Sequence, residues 1–223
     1  MSRAVFIDAG GTLTPIPTLI SFIHFYGGKP GSFIPEMQRN VDAGADRKSI
    51  NEQYYRAFAG ESWAEVSEAG YRWFTESKNK GKFYRPEVLD RIRSHKEQGD
   101  IIILVSGSWR VCLEPFKDDI GVDEILCSEP NVTDDGYLTG ELTSVMVGSG
   151  KSEAIIAFAN DRGIDLTEAV AYGDDPTDLD MLNLVGNPVV ISGFGLDDIA
   201  TEKGWEIIVP DHAYESEWGP GVK

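Results

Sequence analysis

The sequence predicts an α/β fold: a doubly wound, mostly parallel sheet with a small all-helical cap. Three observations predict it. Short β-branched apolar runs recur along the chain, segments with helical apolar spacing separate them, and one long stretch after the first run carries helical signals only. Runs that are apolar throughout, rather than alternating, belong to strands buried on both faces. Strands alternating with helices of this length build a parallel, Rossmann-like sheet covered on each side.

In chain order, Ala4–Ile7 (AVFI) is the first buried run. Pro17–Tyr26 follows as a helix closed by the Gly27–Gly28 break, then Pro35–Ala43 as a short helix, then Arg47–Ala59. Ser62–Lys78 is amphipathic, with Trp63, Val66, Tyr71, Trp73 and Phe74 on its apolar face. About 65 residues of helix in this position make a small domain or lid, because loops of that length are uncommon in compact domains. Beyond it come helix Pro86–Gln98, strand Ile101–Val105, helix Trp109–Asp118 and strand Glu124–Cys127. Pro130–Val147 holds Asp134-Asp135-Gly136 between extended runs, a hairpin signal. Helix Lys151–Asp161, strand Ala169–Tyr172, helix Asp178–Val185, strand Pro188–Ile191, helix Leu196–Lys203 and a sixth run, Ile207–Val209, complete the alternation. The expected division is a core of residues 1–15 and 84–213, a cap of residues 16–83, and a loose Gly/Pro-rich tail over 214–223.

Composition excludes several classes. At 41% hydrophobic and 26% charged, the 223-residue chain is too apolar for a disordered protein. No apolar run approaches the ~18 residues a membrane helix needs. The amino terminus lacks the pattern of a signal peptide, and two cysteines, Cys112 and Cys127, are too few for a disulfide scaffold. A reduced, cytoplasmic setting is expected. With 37 acidic against 20 basic side chains, the net charge of −17 disfavours nucleic acid and anionic membranes as partners.

Ligands of open parallel sheets bind at the carboxyl ends of the strands. The residues just past the buried runs are Asp8, Ser106 and Gly173-Asp174-Asp175, and Lys151 opens the helix before the Ala169–Tyr172 strand. An aspartate, a hydroxyl, a lysine and an acidic pair therefore point at one crevice. Carboxylates gathered there repel one another unless a cation sits among them, and hard oxygen ligands suit Mg²⁺.

This quartet resembles the four motifs of the haloacid dehalogenase superfamily, most of whose members are Mg²⁺-dependent phosphatases. The motifs read VFI-Asp8-Ala9-Gly10-Gly11-Thr12-Leu13, the strand-ending Ser106 of LVSGS, Lys151 of VGSGKSEAI, and Gly173-Asp174-Asp175-Pro176-Thr177-Asp178. A helical insert directly after the first motif, the Asp135–Gly140 hairpin and the run Asp178–Val189 are similar to the phosphoserine-phosphatase-like branch. The resemblance implies Asp8 as nucleophile, forming an aspartyl-phosphate. It implies Mg²⁺ held by Asp8, the Gly10 carbonyl and Asp174, with Asp178 supporting that shell from the same helical face. Ser106 and Lys151 would bind the phosphoryl group, aided by backbone N–H groups around Ala9, Gly10, Gly11 and Gly107. The implied partner is a small phosphorylated molecule, met by a monomer or homodimer.

The sequence departs from the phosphatase pattern at Gly10, where the family phosphatases carry a second Asp that protonates the leaving alcohol. Such acid–base assistance is worth about 10²–10⁴-fold in rate. Three readings follow: another group such as Asp175 supplies the acid; the natural leaving group needs no proton, as in phosphonate cleavage; or the chain binds ligand with weakened turnover. Phosphoserine is disfavoured as substrate, because Pro17 replaces the glutamate that meets its amine. Trp109 and Arg110, just past the Ser106 loop, are expected to contact ligand, and Pro17–Tyr26 either packs the cap or floors an apolar pocket. His24, His95 and His212 lie apart from the motifs, and the cysteines are expected to be structural.

Overall fold

The computed structural model describes residues 3–210. His212 and the expected loose tail, 214–223, lie outside them.

The expected strands form, with shifts of a residue or two at their ends. They are β1 (Ala4–Ile7), β2 (Ile101–Ser106), β3 (Glu124–Cys127), β6 (Val170–Gly173), β7 (Asn187–Ile191) and β8 (Glu206–Ile208). They pair in the order β3-β2-β1-β6-β7-β8, every neighbour parallel. β1 sits centrally, fully buried, with Val5 opposite Ile102 on one side and Val170 on the other. The chain runs outward from β1 in both directions, so a crevice opens beyond its carboxyl end.

Helices cover both faces. α6 (Pro86–Glu97) and α7 (Arg110–Ile120) lie on the face lined by Val5, Ile7, Ile102 and Leu104. α8 (Ser149–Arg162), α9 (Leu179–Leu184) and α10 (Asp197–Lys203) cover the face lined by Phe6, Ile103, Val105 and Val190. Alternation of faces along each strand explains why a continuous apolar run feeds two separate clusters.

Between β1 and α6 run α1 (Thr18–Tyr26), α2 (Gly28–Gly31), α3 (Ile34–Asp42), α4 (Arg47–Ala57) and α5 (Trp63–Asn79). Asp46 and Ser62 cap the amino termini of α4 and α5 by accepting N–H groups of Ser49 and Glu65. The Gly27–Gly28 break is a sharp corner rather than an open loop: both glycines have positive φ, and a single helical turn follows at once. β4 (Glu129–Val132) and β5 (Leu138–Ser144) form the expected antiparallel hairpin. It fastens to the cap through Gly60 N–H to Leu138 O at 2.8 Å and Leu138 N–H to Glu61 O at 2.9 Å. Gly140 permits that approach, since a Cβ there would stand 2.9 Å from Ala59 Cβ.

Candidate active site

Asp8 directly follows β1, buried, with its N–H on the Tyr172 carbonyl of β6 at 3.0 Å. The chain then turns tightly: Gly11 N–H donates to Thr14 O at 2.7 Å, and Thr14 N–H to Ala9 O at 2.8 Å. Gly11 has φ +100°, and a Cβ on it would lie 2.2 Å from Asp174 Oδ2. Glycine therefore allows both the turn and the contact with Asp174. Thr12 Oγ1 donates to Asp174 Oδ1 at 2.6 Å, while Arg85 Nε holds the far side of the turn through Gly11 O at 2.8 Å.

Lys151, in the first turn of α8, reaches Asp8 Oδ1 at 2.5 Å and Asp178 Oδ1 at 2.6 Å, all three side chains buried. The other oxygen of Asp178 accepts N–H groups of Asp174 and Asp175 at 3.1 and 3.2 Å. Asp178 meets Asp174 this way rather than along one helical face. A 3₁₀ turn, Pro176–Asp178, precedes α9, with Asp175 capping it. Asp8, Asp174 and Asp178 each place an oxygen within 4.8 Å of the others.

Charge is unbalanced in this cluster. Burial, with Asp178 adding to it and Lys151 opposing, pushes Asp8 up to about 7. Burial and the repulsion of Asp178 and Asp8 raise Asp174 well above the usual carboxylate range, against the Thr12 hydrogen bond. Burial disfavours charge on Lys151 too, yet Asp178 and Asp8 outweigh it and raise its pKa, keeping the ammonium charged. One ammonium faces three carboxylates, so a divalent cation fits the donor set.

Above the cluster lies a cavity lined from the core by Asp8, Gly10, Ser106, Gly107, Lys151 and Asp178. Asp175 and Thr177 stand at its side, and Met146 and Val147 on another. The cap supplies an aliphatic wall, Leu19, Ile20, Ile34, Met37, Val41 and Ile50, together with the polar His24, Gln38, Arg47, Asn51 and Tyr54. Burial lowers the pKa of His24, and Arg47 is solvent-exposed. In the Pro17–Tyr26 stretch, Phe22 and Ile23 pack the core while Leu19, Ile20 and His24 line the cavity.

The motif residues converge, with Ala9 and Gly11 buried beneath the turn. Trp109 and Arg110 do not join them. Trp109 is fully buried, edge-on to Phe22, Tyr54, Tyr55 and Phe58, with Nε1–H on Cys112 Sγ at 3.1 Å. So large an aromatic surface stabilises more as the seam between cap and core than at a wet mouth. Arg110 turns to Glu129 at 3.0 Å and Glu114 at 3.4 Å instead. Both cysteines are free and buried, and burial pushes the Cys112 thiol up to about 12.

Sequence reasoning misses four contributors. Asn51 Nδ2 and Tyr55 O–H both donate to the Gly107 carbonyl, at 2.9 and 3.0 Å, and Thr18 Oγ1 donates to Ser108 Oγ at 2.9 Å. Arg85 is the fourth. The available signal was faint: polar groups on the helical face that otherwise carries buried residues.

At Gly10 the structure explains a constraint. A Cβ there would stand 3.0 Å from Pro17 Cα and 3.2 Å from Thr18 N, tighter than side chains normally pack. The backbone that starts the cap crowds any side chain placed at this position.

Comparisons with known proteins agree with this geometry. The sequence model of the haloacid dehalogenase-like hydrolase family matches residues 5–183. The inhibition of morphological differentiation protein of Streptomyces azureus is 34% identical over 55% of this chain and 44% of its own length. A probable phosphatase of Mycobacterium tuberculosis is 32% identical over 55% of this chain and 42% of its own. The chain spans less than half the length of these relatives. Among solved structures, a Bordetella pertussis Tohama I protein of unknown function superposes with a TM-score of 0.82 at 21% identity, covering 94% of this chain and 99% of that one. A substrate-bound phosphoserine phosphatase superposes with a TM-score of 0.69 at 19% identity, over 93% of each. A family match spanning most of the sheet and every residue of the Asp8–Lys151–Asp178 cluster leads to one conclusion: the chain belongs to the haloacid dehalogenase-like hydrolase family.

Proposed function

We propose that this protein is a Mg²⁺-dependent phosphohydrolase that removes phosphate from a small organic monoester through an aspartyl-phosphate on Asp8. The observation that carries the reading is the Lys151 ammonium between Asp8 and Asp178 at 2.5 and 2.6 Å, beneath a cavity walled by the cap. Phosphatase relatives support it.

Asp8, the Gly10 carbonyl and Asp174 would hold Mg²⁺, which supplies charge neutralisation between two anions when bound. Asp178 positions this set through Lys151 and the Asp174 N–H. Ser106 and the Gly107 N–H bind phosphoryl oxygens, and Lys151 offsets charge on Asp8 and the transferring group. An Asp8 carboxylate oxygen attacks phosphorus, the bond to the leaving oxygen breaks, and its electron pair leaves with the alcohol fragment. Water then attacks the aspartyl-phosphate, releasing phosphate and restoring Asp8; the proton this water gives up to solvent balances the one the leaving oxygen takes from it.

Gly10 offers no proton to the leaving group. This favours leaving groups stable as anions, and it is also the observation behind a second reading, cleavage of a phosphonate bond to a stabilised carbanion. The test is Mg²⁺-dependent phosphate release from p-nitrophenyl phosphate and from alkyl phosphates, with Asp8→Asn as control. Asp8-dependent turnover that EDTA abolishes is expected, faster for the aryl ester. Absence of turnover with both ester classes would overturn the reading.

A further inference from the structure

The aliphatic wall of the cavity contains two polar atoms that are buried and without a hydrogen-bond partner, Asn51 Oδ1 and Tyr54 Oη. Their residues are 8% and 2% exposed and both line the cavity. They stand three positions apart on α4, which places them side by side on one helical face. Asn51 Nδ2 already donates to Gly107 O at 2.9 Å, so the amide's orientation is set and its oxygen is the atom left over. That bond and the Tyr55 bond to the same carbonyl fix α4 against the loop carrying Ser106. Leaving a buried hydroxyl or amide oxygen unpaired is costly, so such atoms call for a partner, whether water, ion or ligand.

A ligand hydroxyl that reached both atoms would donate to Asn51 Oδ1 while accepting from Tyr54. The remaining wall, from Leu19, Ile20, Ile34, Met37, Val41 and Ile50, matches hydrocarbon. Beyond Tyr54 and the Asp8–Lys151–Asp178 cluster, the titratable groups lining the cavity are Asp175, Arg47, which is exposed, and His24, which burial holds toward its neutral form.

We infer that Asn51 and Tyr54 select a neutral, mainly aliphatic phosphate monoester whose chain carries a hydroxyl close to the phosphate end. The inference rests on the phosphohydrolase reading for the placement of the phosphate, and it names the class of leaving group for that site. A zwitterionic leaving group such as that of phosphoserine is a poor match to the hydrocarbon of Leu19, Ile20, Ile34, Met37, Val41 and Ile50.

Calorimetric binding to the Asp8→Asn protein with Mg²⁺ tests this without turnover. The panel is butyl phosphate, hexyl phosphate, hydroxyhexyl phosphates with the hydroxyl at successive carbons, and phosphoserine. Affinity is expected to rise with chain length, up to about fourfold per buried methylene. One hydroxyl position is expected to bind more tightly than plain hexyl phosphate by about three- to tenfold. Tyr54→Phe keeps the ring that packs against Tyr55 and Phe58 and removes only the unpaired hydroxyl. It is expected to melt no lower than the parent while losing most of the hydroxyl preference. Ile20→Gln is expected to flatten the chain-length dependence.

Affinity independent of chain length, tightest binding of phosphoserine, or an equal loss for all ligands in Tyr54→Phe would each overturn the inference. Folded protein that binds none of the panel would overturn it and the phosphohydrolase reading together. The preference without turnover in the native enzyme would sink the reading alone, and turnover without the preference would sink the inference alone.

Discussion

The Tyr55 hydroxyl of the cap donates to the Gly107 carbonyl of the core at 3.0 Å, on the loop that follows Ser106. Through this bond a helix between the first strand and α6 holds the loop that carries Ser106, the loop proposed to bind phosphate. Tyr55→Phe removes that donor and leaves the Asn51 bond in place. The expected result is a KM for phosphate esters raised about three- to tenfold, with kcat less affected. Melting is expected to fall by about 2–4 °C, the shift that about 1 kcal/mol produces in a domain of this size.

Lys151 balances Asp8 and Asp178 inside a buried cluster. Lys151→Met leaves those carboxylates without their counter-charge. Turnover is expected to drop at least about 10²–10³-fold. The folded state is expected to lose about 3–5 kcal/mol at neutral pH, measured by urea denaturation.

A carboxylate introduced at Gly10 is not expected to raise turnover. In Gly10→Asp the new Cβ meets the Pro17–Thr18 backbone at 3.0–3.2 Å, and backbone gives way less easily than a side chain. A lower melting temperature and no gain in alkyl phosphate hydrolysis are expected. Gly11→Ala is expected to be worse, because it combines a φ of +100° with a Cβ 2.2 Å from Asp174. Differential scanning calorimetry and steady-state rates check both.

Asp100 gives the fold a pH dependence away from the active site. Burial raises its pKa, but hydrogen bonds from Arg3 and His95 outweigh that and hold it below the usual carboxylate range. A carboxylate depressed on folding stabilises the native state above its unfolded pKa, about 3.9, and loses that contribution as pH falls through the folded value. Asp100→Asn is therefore expected to be less stable than the parent at pH 7, by about 1–3 kcal/mol. The gap is expected to close below about pH 4, which denaturant titrations across pH would reveal.

Much of the core is legible in the sequence because strand and helix periodicities are local. The run AVFI is apolar at every position and becomes the central strand, and Asp8 follows it directly. Lys151 and Asp174 are legible for the same reason, each standing beside a buried strand or at the start of a helix. Trp109 was misplaced because its position beside Ser106 says nothing about the direction of its side chain. The cap's aromatic residues decide that direction by burying it.

The sequence by itself determined the sheet's elements, the residues at their carboxyl ends, and the absence of an acid at Gly10. Tertiary structure alone decided that Asn51 and Tyr55 reach Gly107 across 56 and 52 positions. It alone decided that Pro17 and Thr18 crowd Gly10, and that Asn51 and Tyr54 sit in an aliphatic wall. The physical reason is the range of the forces involved. Hydrophobic periodicity acts within one element and is written in neighbouring residues. Which faces of distant elements meet depends on how all the helices pack at once, and no local pattern of residues records that.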